Sequence, residues 1–273
     1  ALPIWLNYVM DKYLPDKLKS DKTWLPWLGK KLKTLVSEFY IMAENKIKAV
    51  LFDLDMTLLD LFTPKDEAIK AALTAMFDAG LDLDKEEAFS KLKQEYNKDF
   101  EGPLVISNFL NGVKQYHPKI LAAAINSYRT TKAGLLKPYP EVIDTLTKLK
   151  ATGLKLAIVT DAPILKAYRR LDSVGVTEFF DAVVTVTDTG KKKPSPEPFT
   201  EALKRLNLTK EEAIHVGDWP ERDIKGANEF GMISVHAKYG DIFSDSSYKG
   251  KADFEIDSFN QLLGVIHTIN QKT

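Results

Sequence analysis

The 273-residue chain contains no cysteine. This excludes disulfides, thiolate metal sites and a cysteine nucleophile, and leaves a reducing cytoplasm as the expected compartment. Neither sign of charge is in excess, since 38 Lys and Arg stand against 38 Asp and Glu. A general nucleic-acid binder needs a basic surplus to displace counterions from phosphates, so no nucleic-acid partner is expected. No uninterrupted apolar run reaches the length of about 18 residues that spans a bilayer, and no short apolar stretch ends in small residues as a secretory signal does. Histidine is scarce: His117, His215, His236 and His267 are scattered, with no pair at metal-binding spacing. His215 sits inside a strand-like run and reads as a core or edge residue. The glycines of residues 226–231 form no dinucleotide fingerprint, and Asn207-Leu208-Thr209 reads as a turn rather than a glycosylation site. What remains, 44% hydrophobic and 28% charged residues, is the balance of an ordinary globular protein with a main domain and room for a smaller one.

Residues 1–45 differ from the rest. They hold Trp5, Trp24 and Trp27, three of the four tryptophans. Leu28, Leu32, Leu35, Val36 and Phe39 recur at the spacing of one helix face, with Lys30, Lys31 and Lys33 off the stripe. Three readings stay open: a helix packed on the main domain or on a second subunit of a homodimer, an interfacial membrane contact with tryptophan at headgroup level, or an upstream extension to a chain whose natural start is Met42.

From Lys46 onward, strand-like and helix-like patterns alternate. Apolar runs of strand length occupy residues 47–52, 154–159, 182–186, 213–216 and 232–235. Helical patterns occupy 140–151, 164–174, 196–206 and 221–230. Short apolar strands separated by amphipathic helices predict an α/β fold: a Rossmann-like parallel sheet covered by helices on both faces. The first crossover is far too long for a loop. Residues 63–137 carry helical patterns of their own at 65–79, 85–96 and 119–131, which predicts an inserted helical subdomain. The expected core is therefore 46–62 with 138–273.

In such a sheet, ligands bind beyond the carboxyl ends of the strands, and the polar residues there are distinctive. The first run leads into Asp53-Leu54-Asp55-Met56-Thr57, the second into Thr160-Asp161. The third is followed by Lys191-Lys192-Lys193-Pro194-Ser195-Pro196, and the fourth by Gly217-Asp218 with Asp223 beyond. Each has a structural explanation on its own: a turn, a helix cap, a solvated lysine face. Together they place two carboxylate pairs, a hydroxyl and a lysine at one end of one sheet. Crowding Asp53, Asp55, Asp218 and Asp223 is costly unless cations share the site, and a hard divalent ion such as Mg²⁺ with one ammonium would offset that charge. The mixture suits phosphoryl transfer, in which catalysis is largely positioning and charge neutralisation.

Asp53-Leu54-Asp55-Met56-Thr57-Leu58, Thr160, Lys193-Pro194 and Gly217-Asp218 with Asp223 resemble, in order, the four motifs of the haloacid dehalogenase (HAD) superfamily. The insertion resembles the helical C1 cap of its subfamily I phosphatases. Residues 159–163, 193–199 and 216–231 look most like an archaeal-type branch assigned to small phosphate esters, including glyceraldehyde 3-phosphate. One departure is Met56, where the family more often has Gly or Asn. The resemblance implies that Asp53 is the nucleophile that becomes an aspartyl-phosphate and that Asp55 is the general acid and base. It also implies that Thr160, Asp161 and Lys193 surround the phosphoryl group. Mg²⁺ is then held by Asp53, Asp218 and the Asp55 carbonyl, and Asp223 supports the metal or Lys193. Haloacid dehalogenases expel halide and typically lack the second aspartate, so Asp55 favours phosphate-ester hydrolysis on a small-molecule substrate. A sugar-phosphate mutase using the same residues, or a non-enzymatic module docking through the N-terminal helix, is the alternative. Tyr128, Arg129, Lys132 and Asn108 are polar residues of the insertion available to contact substrate, and Asp60 and Phe62 lie at its first hinge.

Overall fold

The computed structural model describes residues 46–98, 104–242 and 247–271, so the expected amphipathic helix near the N-terminus lies outside the described residues. The chain begins with β1 (Ala49–Phe52), whose four side chains are all buried. After a tight turn comes the two-residue β2 (Leu59–Asp60), and then four helices: α1 (Thr63–Ala79), α2 (Lys85–Lys98), α3 (Val105–Gly112) and α4 (Pro118–Leu135). β3 (Lys137–Pro138) pairs antiparallel with β2, so a short two-stranded stem joins the two ends of the insertion. Asp60 fastens this stem to α1, its Oδ1 accepting from the backbone amides of Phe62 at 2.9 Å and Thr63 at 3.0 Å.

The rest follows the alternating pattern. α5 (Val142–Ala151), β4 (Lys155–Thr160), α6 (Ile164–Ser173), β5 (Ala182–Thr185), α7 (Glu197–Leu206), β6 (Ala213–Gly217), α8 (Lys225–Phe230) and β7 (Ile233–Ala237) succeed one another. β8 (Phe254–Ile256) and α9 (Leu262–Gln271) close the chain. The sheet order is β5-β4-β1-β6-β7-β8, with every pairing parallel. β2, β3, β8, α3 and α9 have no counterpart in the sequence patterning; the strands among them are two or three residues long, and a stretch such as Phe-Glu-Ile shows no usable period. Val186, expected in the third strand, instead opens a single helical turn. There the Asp188 carboxylate accepts from both the amide and the hydroxyl of Thr185, a capping box that ends the strand early.

One apolar cluster lies on one side of the sheet, around Phe52, Leu146, Ile158, Val235, Phe259 and Leu262. A second, around Leu51, Val159, Val184, Phe199 and Leu203, lies on the other. The insertion has its own cluster of Ile69, Met76, Leu92, Phe109, Leu110 and Ile120. Along α1 the buried positions Ala68, Ile69, Ala72, Leu73 and Met76 repeat at helical spacing, and Gly80 ends the helix in the left-handed conformation. Among the described residues no helix is long and apolar enough to cross a membrane.

Candidate active site

β1 lies between β4 and β6, and the chain builds the sheet outward in opposite directions from it. That reversal is a topological switch point, where adjacent crossovers leave on opposite faces and open a crevice at the strands' carboxyl ends. Asp53 follows β1 directly, its amide bonded to Val216 O of β6 at 2.9 Å. The next residues turn sharply. Met56 has φ 64°, a left-handed conformation that Gly and Asn reach at least cost. Gly240 packs against the same turn: a Cβ on it would lie 1.7 Å from Met56 O.

Lys193 reaches the centre of the crevice from the loop after β5. Its Nζ donates to Asp53 Oδ1 and to Asp223 Oδ1, each at 2.5 Å, and the side chain is only 2% exposed. The loop is held by Asp161, whose Oδ1 accepts from the Lys193 amide at 2.9 Å while its Oδ2 receives Arg222 Nη1 at 3.1 Å. Asp161 therefore braces the lysine loop. Thr160 is buried beside it, its Oγ1 accepting from the amide of Ala162 at 3.2 Å.

β6 delivers the second acid pair. Asp218 receives the Thr57 hydroxyl at 2.8 Å, and Tyr239 in turn donates to Thr57 O at 2.7 Å. Asp223 stands in a single π-helical turn (Pro220–Ile224), where sequence patterning predicted the start of an α-helix. The wider turn directs its carboxylate back to the sheet, where Oδ2 accepts from the Trp219 amide at 3.1 Å and Oδ1 lies 2.9 Å from His215 Nε2. The approach depends on Gly217, because a Cβ there would sit 2.2 Å from Asp223 Cγ.

Carboxylate oxygens of Asp53, Asp218 and Asp223 all lie within 4.8 Å of one another. Burial, with the charges of Asp223 and Asp55 added, pushes the Asp53 carboxyl up to about 8 against the pull of Lys193. Burial and the neighbouring Asp53 and Asp223 likewise hold Asp218 well above the usual carboxylate range. Asp223 goes the other way: burial opposes its charge, but Lys193 and His215 hold it low. Burial depresses His215 despite Asp223, and Lys193 is raised by Asp223 and Asp53 although burial works against its charge. Two carboxylates strained by burial and by each other, beside a third already neutralised by a lysine, make an oxygen donor set that fits a hard divalent cation.

Asp55 points elsewhere. Its Oδ2 is bonded to Arg170 Nη1 from α6, so its side chain is outside the acid triad. Arg170 was not among the residues singled out from sequence, although a signal existed: it lies on the buried face of α6 with Ala167 and Leu171. An arginine on an apolar stripe needs a buried partner. His215, read from sequence as a core or edge residue, is buried in β6 and also contacts the site. Of the insertion's polar candidates, Tyr128, Arg129 and Lys132 line a cavity of about 820 Å³ shared with α6; Asn108 does not.

With this geometry in place, comparisons with known proteins identify the chain's relatives. A family model for haloacid dehalogenase-like hydrolases matches residues 50–237. A glyceraldehyde 3-phosphate phosphatase of Methanocaldococcus jannaschii is 38% identical over 235 residues, 82% of this chain and 99% of that protein. A phosphoglycolate phosphatase of Salmonella paratyphi A is 31% identical over 249 residues, 84% of this chain and 97% of that protein. Among solved structures, a HAD phosphatase from Thermococcus onnurineus superposes with a TM-score of 0.57 at 28% identity, covering 81% of this chain and 98% of that one. The chain belongs to the haloacid dehalogenase-like hydrolases.

Proposed function

We propose that this protein is a Mg²⁺-dependent phosphatase that hydrolyses small phosphate monoesters through an aspartyl-phosphate. The observation that carries the reading is the Lys193 ammonium bridging Asp53 and Asp223 at the carboxyl end of β1, with Asp218 alongside. A carboxylate placed to act as nucleophile, a fixed cation and further acids in one buried crevice suit phosphoryl transfer, in which charge builds up on the phosphoryl oxygens. The relatives named as phosphatases support the same reaction class.

In this mechanism Asp53 attacks phosphorus, the bond from phosphorus to the leaving oxygen breaks, and Asp55 protonates that oxygen. Asp55 then takes a proton from the water that attacks the aspartyl-phosphate, which frees inorganic phosphate and restores Asp53. Thr160 and Lys193 hold the phosphoryl oxygens, and Asp161 keeps the Lys193 loop in register. Mg²⁺ would be held chiefly by Asp53, Asp218 and the Asp55 carbonyl, and when bound it neutralises charge on the phosphoryl oxygens. Asp223, whose Oδ1 already serves Lys193 and His215, acts mainly as the buttress of that lysine. Residues 63–137 form the cap over the crevice, and their closure excludes water from the first step.

The test is release of inorganic phosphate from a panel of small esters, with Mg²⁺ and with EDTA. Turnover should require Mg²⁺ and fall by at least about a thousandfold in Asp53→Asn. Turnover that survives either treatment would remove the reading.

A further inference from the structure

The cavity of about 820 Å³ lies between α4 of the insertion and α6 of the sheet domain. α4 contributes Arg129 and Lys132; α6 contributes Lys166, Arg169 and Arg170, and Asp172 is the one acid in the lining. The chain as a whole is balanced at 38 cationic against 38 acidic residues, so this wall is a local departure. Much of the remaining lining is apolar. Tyr128 stacks on Tyr96 with ring centroids 5.1 Å apart, and Lys132 Nζ lies 5.8 Å from the centroid of Tyr128. Charge of one sign over a low-dielectric wall focuses the field into the cavity and favours anionic ligands.

The cavity is joined to the reacting centre through Arg170. This side chain is 8% exposed, lines the cavity, and donates to Asp55. Arg170 thus stands between Asp55 and the cavity, and a leaving group that passes Asp55 would meet Arg170 and then α4. The phosphoryl end already has Lys193 and Thr160 in the proposed mechanism. On that path the cations of the cavity would meet the leaving group; a hydroxyl can accept from them too, but an anion does so with charge assistance.

We propose that this cavity selects phosphate monoesters whose leaving group carries a second anion, a carboxylate or a second phosphate, with Arg129 and Lys132 as specificity-determining residues. This rests on the phosphatase reading and narrows its substrate class. A leaving group of that kind is gripped at its far end by cations of α4 while Arg170 fixes its distance from Asp55. The grip adds binding energy that a neutral analogue lacks.

The experiment measures kcat and KM with Mg²⁺ on matched pairs. 3-Phosphoglycerate is set against glyceraldehyde 3-phosphate, which differs by a carboxylate for an aldehyde. Phosphoglycolate is set against ethyl phosphate, and fructose 1,6-bisphosphate against fructose 6-phosphate. The first two pairs test a carboxylate and the third a phosphate. The anionic member of at least one pair should be favoured by about tenfold or more in kcat/KM. In the double variant Arg129→Gln, Lys132→Gln that ratio should collapse toward one, chiefly through KM, and Arg129→Lys alone should retain most of it. Simple long-range attraction of any phosphate would instead change both members of a pair together. Equal rates within every pair, or a preference that survives the double variant, overturn the inference and leave the phosphatase reading standing. Failure to cleave any ester removes that reading, and this inference with it.

Discussion

The carboxyl edge of the sheet and the helical insertion hold charge in opposite ways. At the sheet edge, Asp53, Lys193, Asp218 and Asp223 are all buried and bonded to one another or to fixed partners. In the insertion, among the described residues, Lys65 alone of the charged side chains is buried, its Nζ 3.4 Å from Tyr96 O and 5.6 Å from the Tyr96 ring centroid. The remaining insertion core is aliphatic and aromatic. A strand end in a parallel sheet is fixed by its neighbours on both sides, so a charge placed there is held in a set geometry and can be matched by others. Helices packed through side chains alone fix only a face. The first arrangement suits chemistry, and the second suits a surface that adapts to a leaving group.

Lys193→Met attacks this contrast most severely. It removes the cation from a buried pair of carboxylates that share it, and breaking a buried ion pair from one side costs about 3–5 kcal/mol. Urea denaturation in metal-free buffer should show that loss, and phosphate release should vanish. A loss below about 1 kcal/mol, the range of exposed pairs, would mean that the lysine is not sealed among the acids. Leu110→Ala tests the other side. Leu110 is fully buried in the insertion's cluster, and its truncation should cost about 2–5 kcal/mol by transfer and cavity terms. Turnover per folded molecule should persist, because the residue touches no group of the crevice. Loss of turnover in a folded protein would show that the insertion's core is coupled to the chemistry.

Gly217→Ala should have a smaller effect on stability and a clear one on the site. Its methyl would meet Asp223 Cγ at 2.2 Å, and the strand must shift or the carboxylate must turn away, at about 1–3 kcal/mol for an overpacked position. Turnover should fall further than stability, since Asp223 holds Lys193. An unchanged rate would mean that Asp223 can serve from a second position.

The same contrast explains what the sequence reveals. Asp53, Thr160 and Asp218 sit at or just after strand ends, and a strand's short apolar run marks its own end, so a reader can gather these residues without seeing them meet; Lys193 lies beyond the helical turn after β5, and only the motif separates it from Lys191 and Lys192. Asp223 required the motif, because the π-helical turn that aims it has no periodic signature. Arg170 was missed because its partner Asp55 lies 115 residues away, and spacing along one helix does not name a partner on a distant loop. Three of the insertion's helices, α1, α2 and α4, were legible from their periodicity, whereas α3 and the orientation of the helices were not: Arg129 and Lys132 face the cavity and Asn108 does not. That outcome depends on how α3 and α4 pack, which is set by contacts among helices rather than within one. β8 was invisible because three residues carry no period.

Two ion pairs of nearly equal length give the finest test. Lys193 Nζ lies 2.5 Å from Asp223 Oδ1, with both side chains 2% exposed. Lys91 Nζ lies 2.6 Å from Glu87 Oε1 on the surface of α2, with side chains 48% and 47% exposed. Distance alone would rank them together. Water, however, screens the surface pair and solvates both partners when they separate, and holding two long side chains in one geometry costs entropy. The glutamate precedes the lysine by four residues along the helix, the favourable order, for which about 0.3–0.5 kcal/mol is typical at low salt. Lys91→Ala should therefore shift the urea midpoint only slightly, by less still as salt is added, and alanine's helix propensity offsets part of even that. A salt-independent loss of more than about 1 kcal/mol would exceed what a screened pair supplies. It would mean that Lys91 contributes through contacts of its aliphatic stem, and that the insertion depends on its charged residues more than its burial pattern implies.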